Sequence, residues 1–148
     1  MFDVLSPPQD YAFTETGKND DSLVLRVRHG VHTFLLTGDI EKRMEQALID
    51  SGELGRIDVL KVAHHGSQTS TGSQFLDLSR PLFALISAGA ANPYRHPNAH
   101  VLERLSSRGI AVLRTDRSGL VTVRSNGKRF AIDTANWAAA SQSIESPF

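Results

Sequence analysis

Short apolar runs, each closed by glycine, proline or polar residues, recur along the whole chain. Phe2-Asp3-Val4-Leu5 reads as a short strand stopped by Ser6-Pro7-Pro8. Residues 9–21 are polar, contain Gly17, Asn19, Asp20 and Asp21, and read as a loop. Between Ser22 and Arg28 the pattern alternates after Leu23, with apolar residues at 23, 25 and 27 in the two-residue period of a strand. His29-Gly30-Val31 makes a tight connection, and His32 to Thr37 returns, which predicts a hairpin. His29 and His32 both fall near its turn and read as exposed.

The period then changes. Ile40, Met44, Ala47 and Leu48 fall on one helical stripe between Ile40 and Ser51, and Gly52 stops the helix. A strand over 57–62, a polar loop, a helix at about 73–79 and a strand from Leu82 to Ser87 follow. Asn98 caps a helix to about Ser107 that turns Val101, Leu102 and Leu105 inward, with Gly109 as its stop. Ile110 to Leu113 is a strand. Leu120–Val123 and Arg129–Asp133 flank Asn126-Gly127, the dipeptide of a type I′ hairpin. From Ala135 the Ala/Ser-rich sequence has no period and is expected to be a flexible tail over 135–148. Alternating strands and helices give an α/β class, a mixed sheet with flanking helices.

Chemistry-bearing residues gather where apolar strands end. Asp58-Val59-Leu60-Lys61-Val62-Ala63 runs into His64-His65-Gly66-Ser67, and Phe34-Leu35-Leu36-Thr37-Gly38 runs into Asp39. Asp39 lies 26 residues before His65, with one helix between. A right-handed crossover makes the two strands parallel and puts both ends on one edge of the sheet. Carboxylate plus imidazole suits Zn²⁺, Mn²⁺ or Fe²⁺. The alternatives are a helix N-cap for Asp39 and a strand-capping surface pair for His64 and His65. Gln68 to Ser73 offers four hydroxyls that either cap a helix or touch a phosphate. The loop from Ala88 to Pro97 carries Asn92, Tyr94 and His96, where His96 either serves a site or packs on Tyr94. Asp116 follows a strand end, and Asn19 stands before another strand; both read as turn or site residues.

Taken in order, these segments resemble metallo-β-lactamase-fold hydrolases. The segments are Leu35-Leu36-Thr37-Gly38-Asp39, Leu60-Lys61-Val62-Ala63-His64-His65-Gly66-Ser67, Asn92-Pro93-Tyr94-Arg95-His96-Pro97 and Arg114-Thr115-Asp116. Within that fold they are similar to the C-terminal hydrolase domain of ComEC-type DNA-uptake competence proteins. The resemblance covers about Phe2 to Thr134 and implies that residues 1–134 form the C-terminal part of such a domain, half of an αββα sandwich. It implies a metal-dependent nuclease acting on DNA, with two divalent ions, Zn or Mn, in the complete domain. Asp39 would bridge the metals, and His65, or else His64, would ligate one. His96 would be catalytic, and Asn19, Ser67, Asn92 and Asp116 would bind substrate. The resemblance further implies a soluble domain of a bacterial inner-membrane protein, on its extracytoplasmic face.

The family's first metal motif, His-x-His-x-Asp-His, is absent: the six histidines stand at 29, 32, 64, 65, 96 and 100. The piece alone is therefore expected to bind metal weakly or not at all and to lack activity. The alternatives to a nuclease are a non-catalytic structural or DNA-contacting module of a membrane DNA-channel protein, or a metallo-β-lactamase-fold esterase of another substrate class. Arg95 stands where the family tends to have glycine. A sheet edge left without its other half is expected to self-associate, as a homodimer.

Composition narrows the reading in three ways. With no cysteine among 148 residues, disulfides and thiolate metal sites are excluded. No apolar run approaches the roughly 20 residues of a bilayer span, and no signal peptide is expected at Met1-Phe2-Asp3. Net charge is zero, but residues 1–58 carry 6 basic and 11 acidic side chains and residues 91–148 carry 8 and 4. A basic C-terminal third suits either phosphates or an ordinary solvated surface.

Overall fold

A computed structural model describes residues 1–8, 11, 18–136 and 139–145. Much of the polar loop expected over 9–21 lies outside them, as do Trp137 and Ala138. The first sheet has six strands in chain order: β1 (Phe2–Ser6), β2 (Val24–His29), β3 (His32–Leu36), β4 (Val59–Lys61), β5 (Phe83–Ile86) and β6 (Ala111–Arg114). β1, β2 and β3 pair antiparallel, and β3 to β6 run parallel. The protein is thus α/β with a mixed sheet, as the alternation of elements implied.

Three helices make the parallel crossovers: α1 (Lys42–Asp50), α2 (Ser73–Ser79) and α3 (Ala99–Ser106). Because successive parallel strands advance in one direction, right-handed connections put all three on one face. Leu35, Leu60, Val62, Ala84 and Ile86 on that face pack against Met44, Leu48, Phe75, Leu76, Val101 and Leu105. Strand β2 joins this core through Val24, which is fully buried, whereas the alternation at 23, 25 and 27 marks the opposite face.

That opposite face is only partly covered. A second, antiparallel sheet of β7 (Leu120–Ser125), β8 (Phe130–Asn136) and β9 (Ala139–Glu145) lays Phe130 and Ile132 on Val59, Phe83 and Leu113. The hairpin expected around Asn126-Gly127 is β7–β8, and its turn docks on the β2–β3 turn through Val31 N donating to Gly127 O. His32 is not exposed as its turn position implied. It is buried, its Nδ1 lies 2.9 Å from Ser125 Oγ and its ring sits edge-on to Phe130. A contact formed across 93 residues leaves no local signal. His29 is exposed as expected. The flexible end expected from Ala135 instead contains β9, which pairs with β8 through the backbone. Ladder hydrogen bonds can form without a hydrophobic period, so composition gave no sign of it.

Over β1 to β3 the second face stays open. Phe2, Val4 and Leu36 are 75%, 59% and 44% exposed, and Phe2 and Leu36 line a groove of about 520 Å³ that also takes in Val27, Phe34 and Lys61. β1 is an outer strand of the sheet, the edge that the expected self-association would use.

Helix α1 starts at Lys42, two residues later than its stripe suggested, and Glu41 occupies its N-cap position. Asp39 is therefore free of the capping role. The inward face of α1 also carries a carboxylate that the apolar stripe hid: Glu45 is 2% exposed and accepts from the backbone N–H groups of Thr71 and Gly72. Burial pushes its carboxyl above the ordinary value, against those two hydrogen bonds and the charge of Arg104. The folded state then holds this proton more tightly than the unfolded chain does. Its contribution to stability is full below the ordinary carboxyl value and is lost as pH rises through the raised one. In urea titrations across that window, wild type should lose stability relative to Glu45→Gln as pH rises. A constant difference would contradict the burial account.

Candidate functional site

Because β3 to β6 are parallel, four loops leave the same edge of the sheet: after Leu36, Lys61, Ile86 and Arg114. Side-chain and backbone bonds tie the loops together. Thr37 Oγ1 donates to Lys61 O at 2.6 Å, and His64 N donates to Gly38 O at 3.1 Å. Ser22 Oγ accepts from Asp39 N at 3.0 Å. Gly38 has φ +53, and a Cβ there would lie 2.7 Å from the Ser22 Cβ, so the approach needs glycine. Gly66 plays the same part on the other side. A Cβ on it would meet Pro97 Cβ at 2.6 Å, and its carbonyl accepts from Asn98 N at 2.8 Å.

His64 and His65 both adopt left-handed backbone, at φ 48 and φ 54. Such conformations cost of order 1–3 kcal/mol each in non-glycine residues and collect at functional sites. The strain turns the two imidazoles onto different neighbours.

His65 Nδ1 lies 2.7 Å from Ser87 O. A carbonyl only accepts, so Nδ1 carries the proton and, in the neutral ring, Nε2 keeps its lone pair. Nε2 is 3.7 Å from Asp39 Oδ1, too long for a hydrogen bond. Two ligands about 2.0–2.1 Å from one tetrahedral cation stand roughly 3.3 Å apart, so the pair suits a shared cation with little adjustment. A backbone carbonyl on the far ring nitrogen, as Ser87 O is here, is the kind of partner that fixes the orientation of an imidazole in metal sites. Among the described residues no group of three His, Cys, Asp or Glu side chains forms a fuller cluster.

His64 faces a different set. Its Nδ1 is 3.4 Å from Glu41 Oε1 and 3.5 Å from Asn19 Nδ2. Asn19 Nδ2 and Thr69 Oγ1 both donate to Glu41 Oε1, at 3.1 and 2.9 Å. Asn19 thus stands at the rim, next to the histidine pair. Its single 3-10 turn is held by Asp20, which accepts from Glu41 N at 2.8 Å and from Arg43 at 3.0 Å.

His96 meets His64 edge-on, with ring centroids 5.7 Å apart, and Tyr94 stacks on it at 5.9 Å. The packing on Tyr94 left open by the sequence is thus present, and it leaves His96 beside His64. Burial first, then the His64 and His65 charges, push the His96 imidazole below its ordinary value and favour its neutral form. Asn92 holds it in place: Oδ1 accepts from His96 N and Nδ2 donates to His96 O, both at 2.8 Å.

The remaining sequence-derived residues lie on the same edge but are engaged elsewhere. Asn92 turns both ends of its amide to its own loop. Ser67 is buried, 3.0 Å from the hydroxyl of Thr69. Asp116 makes a two-point ion pair with Arg114 at 3.0 and 2.6 Å, and that hydrogen bonding holds its carboxyl below the ordinary range. Three contributors carried no sequence signal: Glu41, masked as a helix-start acid; Arg104, which donates to the carbonyls of Ser70 and Thr71; and Lys61. Burial pushes the Lys61 ammonium below its ordinary value, and the Asp39 charge opposes this.

With this geometry in place, comparisons with known proteins add a direction. No family model matches the chain. It is 45% identical over 124 residues to ComE operon protein 3 of Bacillus subtilis, covering 84% of this chain and 16% of that protein. It is 42% identical over 134 residues to Recombination protein 2 of Haemophilus influenzae, covering 90% of this chain and 16% of that one. Competence protein ComA of Neisseria gonorrhoeae is 40% identical over 121 residues, 80% of this chain and 17% of that protein. The chain thus spans about one-sixth of the length of the curated relatives it matches. Among the described residues no helix is long and apolar enough to cross a membrane.

If the histidine loop is shaped for a ligand rather than for packing, removing the side chains should not destabilise the fold. His64→Gly and His65→Gly each relieve about 1–3 kcal/mol of strain, against about 0.5–1 kcal/mol of added backbone entropy. Urea melts should show unchanged or higher stability. A loss above about 1 kcal/mol in both would mean that the imidazoles serve packing.

Proposed function

We propose that this chain supplies one half of a metal-dependent hydrolase site that cleaves DNA phosphodiesters in competence-related DNA uptake. The observation that carries the reading is the Asp39–His65 pair, 3.7 Å apart, with the His65 proton fixed on the far nitrogen by Ser87. The open apolar face over β1 to β3 supports a fold in which a second layer completes a metallo-β-lactamase-like sandwich. The names of the relatives, competence and recombination proteins about five times as long, support the process and the nucleic-acid substrate. A longer parent that carries membrane spans elsewhere is consistent with those lengths.

In this reading Asp39 and His65 hold a divalent cation, Zn²⁺ or Mn²⁺. Such an ion supplies charge neutralisation at a phosphoryl oxygen and an activated water near neutral pH. His64 stands second in line, oriented by Glu41 and Asn19. His96, neutral and clamped by Asn92, is placed to accept or return a proton at the reacting phosphate, or to contact it. The further ligands come from the missing layer, as does a second cation. The chain by itself is then a weak metal binder, since two ligands fall short of the three of a catalytic zinc site.

Two measurements test this. Calorimetric titration of the chain with Zn²⁺ or Mn²⁺ should show weak binding that Asp39→Ala weakens further. Tight stoichiometric binding by the monomer would contradict a half-site. In the longer parent protein, DNA cleavage with Mn²⁺ or Zn²⁺ should nearly vanish in Asp39→Ala and drop roughly 10²–10⁴-fold in His96→Ala if that residue transfers a proton. A folded, metal-loaded protein that hydrolyses a small ester but no DNA would reject the substrate and keep the hydrolase class.

A further inference from the structure

We propose that Tyr94 is a stacking platform for one base of a single-stranded nucleic acid, seating the strand beside Asp39 and His65. The inference rests on the DNA-hydrolase reading and deepens it by naming the strandedness of the substrate.

Tyr94 is 76% exposed, yet its ring is not free: it stacks on His96 with an interplanar angle of 18°. His96 in turn meets His64 edge-on, so three rings lead from solvent to the histidine pair. Two devices fix the row. Asn92 grips the His96 backbone on both sides, and Pro97 closes on Gly66. An exposed aromatic face backed by a clamped ring offers apolar area to whatever stacks on it.

The space beside the ring selects the occupant. A pocket of about 270 Å³ runs from Tyr94 past Gly89 and Ser87 to His65. It is below the roughly 300–1,000 Å³ of ordinary small-molecule sites and admits one planar base, not a base pair. A base inside a duplex already has neighbours on both faces, so an aromatic platform engages only an unstacked one. Stacking is also indifferent to base identity, as a nuclease of general specificity requires. Arg95 follows directly, exposed and in the left-handed region at φ 56, and places a cation next to the platform for a backbone phosphate.

Binding to the chain itself tests the platform without cleavage. Labelled oligothymidylate and a duplex of equal length are titrated against wild type, Tyr94→Phe and Tyr94→Ala. Tyr94→Ala should weaken single-strand binding about 5- to 150-fold, the range of one lost base stack, while Tyr94→Phe binds as wild type and duplex binding is unchanged. A strand carrying 2-aminopurine should be quenched by wild type and Tyr94→Phe but not by Tyr94→Ala. Arg95→Gly should lower the slope of log affinity against log salt by about 0.7 for the single strand. Wild-type single-strand affinity in Tyr94→Ala, or an equal loss for the duplex, would overturn the platform. Oligouridylate bound more tightly than the deoxy strand would overturn its assignment to DNA. Binding of neither single strand nor duplex by wild type would overturn the platform, while the DNA reading is decided separately by cleavage in the longer parent. Binding of the single strand that ignores Tyr94 removes only the platform.

Discussion

The alignment of β3 with β4 is the constraint on which the site depends. Leu36 lies opposite Lys61 in a parallel ladder, so both strands end at the same height. Thr37 Oγ1 on the Lys61 carbonyl and His64 N on the Gly38 carbonyl lock the two ends beyond the last ladder pair. A shift of one residue along either strand would turn its side chains to the other face and pull Asp39 away from His65. The apolar faces prevent that slip, because Leu35, Leu60 and Val62 are all buried under the helices. The core and the site are therefore fixed by the same register.

From that alignment the loops gain their division of labour. Two successive left-handed residues swing His65 toward Asp39 and Ser87, and His64 toward Glu41, Asn19 and His96. Glu45 and Arg104 then hold the following loop from below, one through its N–H groups and the other through its carbonyls. A buried carboxyl is costly unless its oxygens are satisfied, and here the loop N–H groups offset part of the cost that burial imposes. The same contacts that stabilise the loop hold Thr69 against Glu41, so packing energy and site geometry are one network.

Local pattern was enough for much of this. The strand ends at Asp39, His64 and Asp116, the crossover helices and the Asn126-Gly127 hairpin follow from period and turn chemistry. Parallel order then puts the loops on one edge. What escaped the sequence was set by distance along the chain. His32 is buried by Ser125 and Phe130, Glu41 draws its meaning from Asn19 and Thr69, and β9 is held by backbone pairing that no side-chain period announces. Ser67 and Asn92 looked equally available to a ligand in the sequence. Only the fold shows their polar atoms turned to their own loops.

We propose that Asp39 and His65 present one cation site at the edge of the parallel strands. Anomalous diffraction from crystals soaked in Mn²⁺ tests it most directly. The expected result is a peak about 2.0–2.2 Å from an Asp39 carboxylate oxygen and from His65 Nε2, with Nδ1 still on the Ser87 carbonyl. A peak bound through other residues, or a His65 ring flipped to present Nδ1, would contradict it.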